Sequence, residues 1–227
     1  MSTSPSASSS PSAESPHTRS LAVHVIGPIL AMVPVFLFAS IGHEVNEDGQ
    51  LGIDRWAHQY VGVDVHSSLY TIMTSVSWFA GPHVVPWLVL AAMVACVLVG
   101  RFRPDGVSFL VAAIGGLAMI VALKAGFHRA RPDVAFENLG YSYPSGHSFF
   151  AVILYGLAGY HIQRHVRGLA RGLVVAVAFA LVLLVGYSRV ALGEHFLTDV
   201  IGGYALAVPW LWACIHMPRH VAWMRGP

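Results

Sequence analysis

The chain has 227 residues, of which 56% are hydrophobic and 11% charged, against roughly 25% charged in soluble domains. This excludes a disordered chain, a coiled coil and an ordinary soluble enzyme, and its length suits about half a dozen membrane spans of roughly 20 residues each. The net charge of +2 offers no basic surface for nucleic acid.

Residues 1–20 are dominated by Ser and Pro with almost nothing to bury, and are expected to form a disordered tail. The apolar run over 21–41 is too long for a signal-peptide core, so it is expected to remain as the first span. The uncharged stretch from Val65 to Gly100 is too long for one span and is broken at Gly81-Pro82. It divides into an interfacial helix over 66–80 and a second span over 83–99. The third span fills the window between Asp105 and Lys124, the fourth runs over 147–163, the fifth lies between Arg171 and Arg189, and the sixth runs over 199–217. Lipid cannot satisfy an open backbone, so all six are expected to be helices. The fold class is therefore all-α: a six-span bundle over 21–217 with a short cytoplasmic tail over 218–227.

Six spans place both termini on one side. That side receives 8 basic residues, among them the short-loop residues Arg101, Arg103, Arg164, Arg167 and Arg171. The other side receives Arg55, Lys124, Arg129, Arg131 and Arg189 together with nine acids. The positive-inside rule then makes the termini cytoplasmic and turns the loops at 42–82, 124–146 and 188–198 outward, in a multi-pass protein of the cell membrane.

Three polar segments flank span ends on that outer face: Lys124–Pro132 (KAGFHRARP), Tyr143–His147 (YPSGH) and Ser188–Asp199 (SRVALGEHFLTD). A single arginine there reads equally well as a snorkelling anchor. Three cations, two histidines and an aspartate at one face read as an anion site beside lipid. Lys124, the only lysine, supplies charge with Arg131 and Arg189, and the arginine fork matches phosphate oxygens. Ser145 and Gly146 open the fourth span, where unpaired backbone N–H groups attract anions. The Ser145 hydroxyl suits an N-cap and a phosphate donor alike, and Gly146 permits close backbone approach.

His195 and Asp199 are spaced i, i+4 and are expected to share a face of the helix that opens the sixth span. Such an aspartate orients the ring and leaves its other nitrogen nucleophilic. His147 has no carboxylate beside it in sequence and is the better proton donor. Glu194, next to His195, either repels a doubly charged phosphate or faces water. No metal-ligand spacing links the remaining histidines, and Cys96 and Cys214 lie in apolar runs, so neither a metal site nor a disulfide is expected.

Lys124-x6-Arg131-Pro132, Pro144-Ser145-Gly146-His147 and Ser188-Arg189-x5-His195-x3-Asp199 together resemble the three-part signature of the type-2 phosphatidic acid phosphatase superfamily, with all eleven specified positions present in order. The resemblance implies a metal-independent, cofactor-free phosphatase of lipid phosphates or diphosphates. It makes His195 the nucleophile that becomes a phosphohistidine, Asp199 its orienter and His147 the general acid. Lys124, Arg131, Ser145, Gly146 and Arg189 become the phosphate cradle. Candidate substrates are undecaprenyl or another polyprenyl diphosphate, phosphatidic acid and phosphatidylglycerol phosphate, with the outer face favouring the first. Vanadate-dependent haloperoxidases share this cradle but resemble soluble proteins. A non-catalytic lipid-binding membrane protein is the third alternative, disfavoured by the retained His147, His195 and Asp199.

Overall fold

The computed structural model describes residues 27–79, 81, 86, 87, 90, 91, 94, 107–135 and 140–224. The expected tail, most of the second span and the loop carrying Arg101 and Arg103 lie outside the described residues. Among those described there are seven helices of more than three turns' or near that length and no strand: α1 (Gly27–Asp48), α2 (Gly52–Val61), α3 (Ser68–Trp78), α4 (Val107–Phe127), α5 (Gly146–Gln163), α6 (Leu169–Ala191) and α7 (Leu197–Met224). The all-helical expectation holds.

Three of these helices are long and apolar enough to cross a membrane: Ser108–Phe127 within α4, Leu169–Ala191 (α6) and Leu197–His216 within α7. Leu173, Val177, Phe179 and Leu184 along α6 are exposed, an apolar outer surface suited to lipid. The boundaries differ from expectation mainly at charged residues, which the sequence suggests as helix ends. Lys124, Arg171 and Arg189 all lie inside helices, because a long cationic side chain reaches polar surroundings without its backbone leaving the helix. α7 also continues past the expected end at 217 to Met224. α2, a helix in the loop after the first span, was not expected. Its ten residues are amphipathic rather than apolar, so a search for spans passes over it.

α5 is the centre of the bundle and packs against α4, α6 and α7; α1 lies along α7, and α3 along α6. Phe109, Ile120, Phe149, Leu157, Ala207 and Cys214 form the largest buried cluster. Gly202 and Gly203 mark a close helix contact. A Cβ on Gly202 would stand 2.5 Å from the Tyr143 ring, and one on Gly203 would stand 2.6 Å from the Ser145 carbonyl oxygen. Only glycine lets α7 approach the start of α5 this closely. That approach carries a backbone bond from Ser145 N–H to the Asp199 carbonyl at 3.0 Å, which ties the second polar segment to the third.

Candidate active site

The site is assembled by helix ends. α6 finishes with Gly193 at φ +68°. Its N–H donates to the Val190 carbonyl (3.0 Å), and the Glu194 N–H donates to the Arg189 carbonyl (3.0 Å), the paired bonds of a glycine-terminated helix. A side chain at Gly193 would also meet Val134 at 2.5 Å, so glycine is required there for both conformation and space. The turn folds Glu194 and His195 back over the end of α6, beside Arg189. Gly193 is not one of the eleven signature positions; its only signal in the sequence is a glycine directly after an apolar helix.

His195 Nδ1 lies 3.2 Å from Asp199 Oδ2, so the expected pair forms, although not along a helix face. α7 begins at Leu197, two residues after His195. Asp199 is the third residue of α7, and its Oδ2 turns back to accept the Phe196 N–H at 2.9 Å, as a carboxylate in a first helical turn does. One oxygen thereby caps the helix and meets the ring. An imidazole that donates Nδ1–H to a carboxylate carries its lone pair on Nε2. Burial first, and then the charges of Arg189, Lys124, Arg131 and Arg129, hold His195 well below the ordinary histidine range.

The second Asp199 oxygen accepts from Arg129 Nη1 at 2.5 Å. Arg129 also donates to Thr198 Oγ1 (2.8 Å), to Asp54 Oδ2 (2.7 Å) and, through Nε, to the Gly49 carbonyl (2.9 Å). Its guanidinium lies 4.2 Å from the centroid of the Phe196 ring. Asp54, on α2, accepts the Thr198 N–H at 2.9 Å and so caps α7 from outside. Arg129, Asp54 and Asp199 are all buried. Sequence reasoning counted Arg129 only as a charge and gave Asp54 and Thr198 no role. Asp54 is 75 residues from Arg129, and no local spacing reports the contact. Arg129→Leu leaves two buried carboxylates without their shared cation. We expect about 3–5 kcal/mol of destabilisation, read by denaturant unfolding in detergent. A loss below about 1 kcal/mol would be that of an exposed ion pair and would remove the network from the stability of the site.

Lys124 donates to the carbonyls of Tyr141 and Ser142. Arg131 Nη1 donates to the Glu194 carbonyl at 3.1 Å, and Arg189 Nη1 to Ser77 Oγ at 2.7 Å. Ser77 comes from α3, so the helix expected at the interface also buttresses Arg189, one of the expected phosphate ligands. Ser145 is the N-cap of α5 and its hydroxyl oxygen accepts the Ser148 N–H. Gly146 is not demanded by packing, since a Cβ there would meet only Ile120 at 3.6 Å. His147 follows it, and a Cβ on Gly81, just after α3, would stand 3.3 Å from its Nε2. The positive charges of Arg189, Arg131 and Lys124 all act on the His147 ring. The three polar segments thus converge. His128 lies at the rim, exposed and edge-on to Tyr141 with ring centroids 4.5 Å apart.

Phosphatidylglycerophosphatase B of Bacillus subtilis (strain 168) is 40% identical over 90 residues, a stretch covering 38% of this chain and 44% of that protein. The chain thus aligns with less than half of that curated relative's length. The crystal structure described as the first transmembrane PAP2 type phosphatidylglycerolphosphate phosphatase, from Bacillus subtilis, shares the fold, with a TM-score of 0.72, 23% identity, and coverage of 86% of this chain and 96% of that one. The sequence pattern of the PAP2 superfamily matches residues 105–223. That interval is just over half of the 227 residues and contains all three polar segments, so the chain belongs to the PAP2 superfamily.

Proposed function

We propose that the chain is an integral membrane phosphatase that hydrolyses lipid phosphates or diphosphates through a phosphohistidine on His195, without a metal. The observation that carries this is the His195–Asp199 contact at 3.2 Å, set among Lys124, Arg131 and Arg189. His195 Nε2 attacks phosphorus while His147 protonates the departing oxygen, so the P–O bond breaks as the P–N bond forms. Water then attacks phosphorus, His147 accepts its proton, and the P–N bond breaks to return neutral His195 and inorganic phosphate. Lys124, Arg131 and Arg189, with the N–H groups at Ser145 and Gly146, stabilise the equatorial oxygens in place of a metal. Asp199 holds the ring, and Arg129 with Asp54 holds Asp199.

The substrate is a phosphate or diphosphate on a lipid. The name of the 40%-identical relative supports phosphatidylglycerol phosphate, beside phosphatidic acid and polyprenyl diphosphate. The apolar exterior argues against a haloperoxidase. Phosphate release by the detergent-purified protein should be seen on at least one lipid of that panel, should persist in EDTA and should be blocked by vanadate. Loss of activity in EDTA, restored by a divalent ion, would refute the metal-free mechanism. Vanadate-supported halide oxidation would favour the haloperoxidase reading.

The proposed topology has six spans. α1 and α5, at 22 and 18 residues, are about 33 and 27 Å long at roughly 1.5 Å per residue, near the hydrocarbon thickness of about 30 Å. α3 is the interfacial helix: Leu69, Ile72 and Trp78, with Phe79 directly after it, are exposed, and aromatic residues favour the headgroup level. Short-loop arginines keep the termini cytoplasmic and the site outside. In a background without Cys96 and Cys214, an impermeant thiol reagent should label Asp133→Cys in intact cells and leave Ala170→Cys unlabelled. The opposite pattern would invert the protein.

A further inference from the structure

Glu194 occupies a place that the proposed mechanism does not use. The turn at Gly193 folds it inward, and it is 5% exposed. Its Oε2 lies 3.4 Å from Arg131 Nη1 and 3.7 Å from Arg189 Nη2. Its backbone carbonyl accepts from the same Arg131 nitrogen at 3.1 Å. A carboxylate of the chain therefore lies against both arginines assigned to a phosphate, one residue from the nucleophile.

The charges decide what this does. Lys124, Arg129, Arg131 and Arg189 are positive; Asp54, Glu194 and Asp199 are negative. Arg129 pairs with Asp54 and Asp199, whereas the Glu194 carboxylate pairs with two of the cradle cations, Arg131 and Arg189. A phosphate group beside Arg131 and Arg189 must share them with Glu194 and feel its charge at close range. In a buried site that repulsion is poorly screened, and it grows with the charge of the ligand.

We propose that Glu194 is a resident competing anion of the cradle: it lowers affinity for highly charged phosphates, above all free inorganic phosphate and diphosphate. This rests on the proposed phosphatase function and deepens it. A lipid phosphate brings its hydrocarbon chains as additional binding energy and tolerates the repulsion. The freed inorganic phosphate has only its charge, so Glu194 promotes its departure and keeps the site available for lipid. Glu194 is thus a specificity-determining residue.

The test is equilibrium binding of inorganic phosphate and inorganic diphosphate to the detergent-solubilised full chain by calorimetry, with wild type, Glu194→Gln and Glu194→Asp compared. The Gln variant keeps shape and hydrogen bonding and removes the charge. It should bind phosphate at least about tenfold more tightly, with a larger gain for diphosphate because repulsion scales with ligand charge. Under turnover it should show stronger inhibition by added phosphate. The Asp variant keeps the charge but shortens the reach to the arginines, and should fall between. A Gln variant that is folded yet binds phosphate equally or more weakly overturns the proposal, since Glu194 would then only be aligning Arg131 and Arg189. Equal gains for both ligands overturn its charge basis. If the Gln variant does not fold, the Asp variant decides alone, and phosphate binding no tighter than wild type overturns the proposal. Binding needs no turnover, so a wild type inactive on every lipid phosphate would refute the phosphatase reading while the binding comparison still decides the role of Glu194.

Discussion

His195→Ala is expected to lower kcat on any lipid phosphate by about 10⁴-fold or more, because a nucleophile that works as part of a unit has no substitute once removed. The loss should be in kcat, with substrate binding retained, since Lys124, Arg131 and Arg189 remain. Asp199→Asn should approach the same loss for a different reason. Its Oδ2 holds His195 Nδ1 at 3.2 Å and caps Phe196 N–H at 2.9 Å. An amide turned to donate to the ring would stabilise the wrong tautomer and direct the lone pair away from phosphorus, a change worth about 10⁴-fold in comparable dyads. Single-turnover kinetics on detergent-solubilised substrate would separate binding from chemistry. Near-normal turnover in His195→Ala would end the phosphohistidine assignment, whatever became of Asp199.

The second large effect is at His147, and it should depend on the leaving group. An alkoxide leaves poorly without a proton, whereas a nitrophenolate needs none. His147→Ala should therefore lose about 10²–10⁴-fold in kcat/KM on a lipid monophosphate, the range of general acid catalysis. It should lose far less on an aryl phosphate. A diphosphate should fall between, because departing phosphate is less basic than an alkoxide. The contact with Gly81, where a Cβ would stand 3.3 Å from His147 Nε2, supplies an independent check. Gly81→Ala should crowd the ring and produce the same ordering of losses in weaker form. Equal losses on all three substrates would make His147 a binding or positioning group.

Much of this chain was legible without coordinates because the bilayer simplifies the physics. Apolar runs of span length admit only helices, so α4, α5, α6 and α7 stand in the sequence almost as they stand in the fold. The signature residues were legible for a related reason. Ionisable side chains beside lipid are costly enough that Lys124, Arg131, Arg189, His147, His195 and Asp199 stand out against an apolar background. The i, i+4 spacing of His195 and Asp199 led to the right pair on the wrong geometry: the same spacing is met across a helix start, where a carboxylate in the first turn folds back, as along a helix face.

The sequence alone thus determined the helical membrane class, the polar segments that carry chemistry and the pairing of His195 with Asp199. Periodicity, helix caps and the cost of charge near lipid are all local. Only the tertiary structure decided what supports that pair and what shares its cradle. α2 sends Asp54 to Arg129 and to the start of α7, α3 sends Ser77 to Arg189, and the turn at Gly193 brings the Glu194 carboxylate onto Arg131 and Arg189. These contacts join residues far apart in the chain, and a buried charge is satisfied by whichever partner the packing brings near, which spacing along the sequence does not encode.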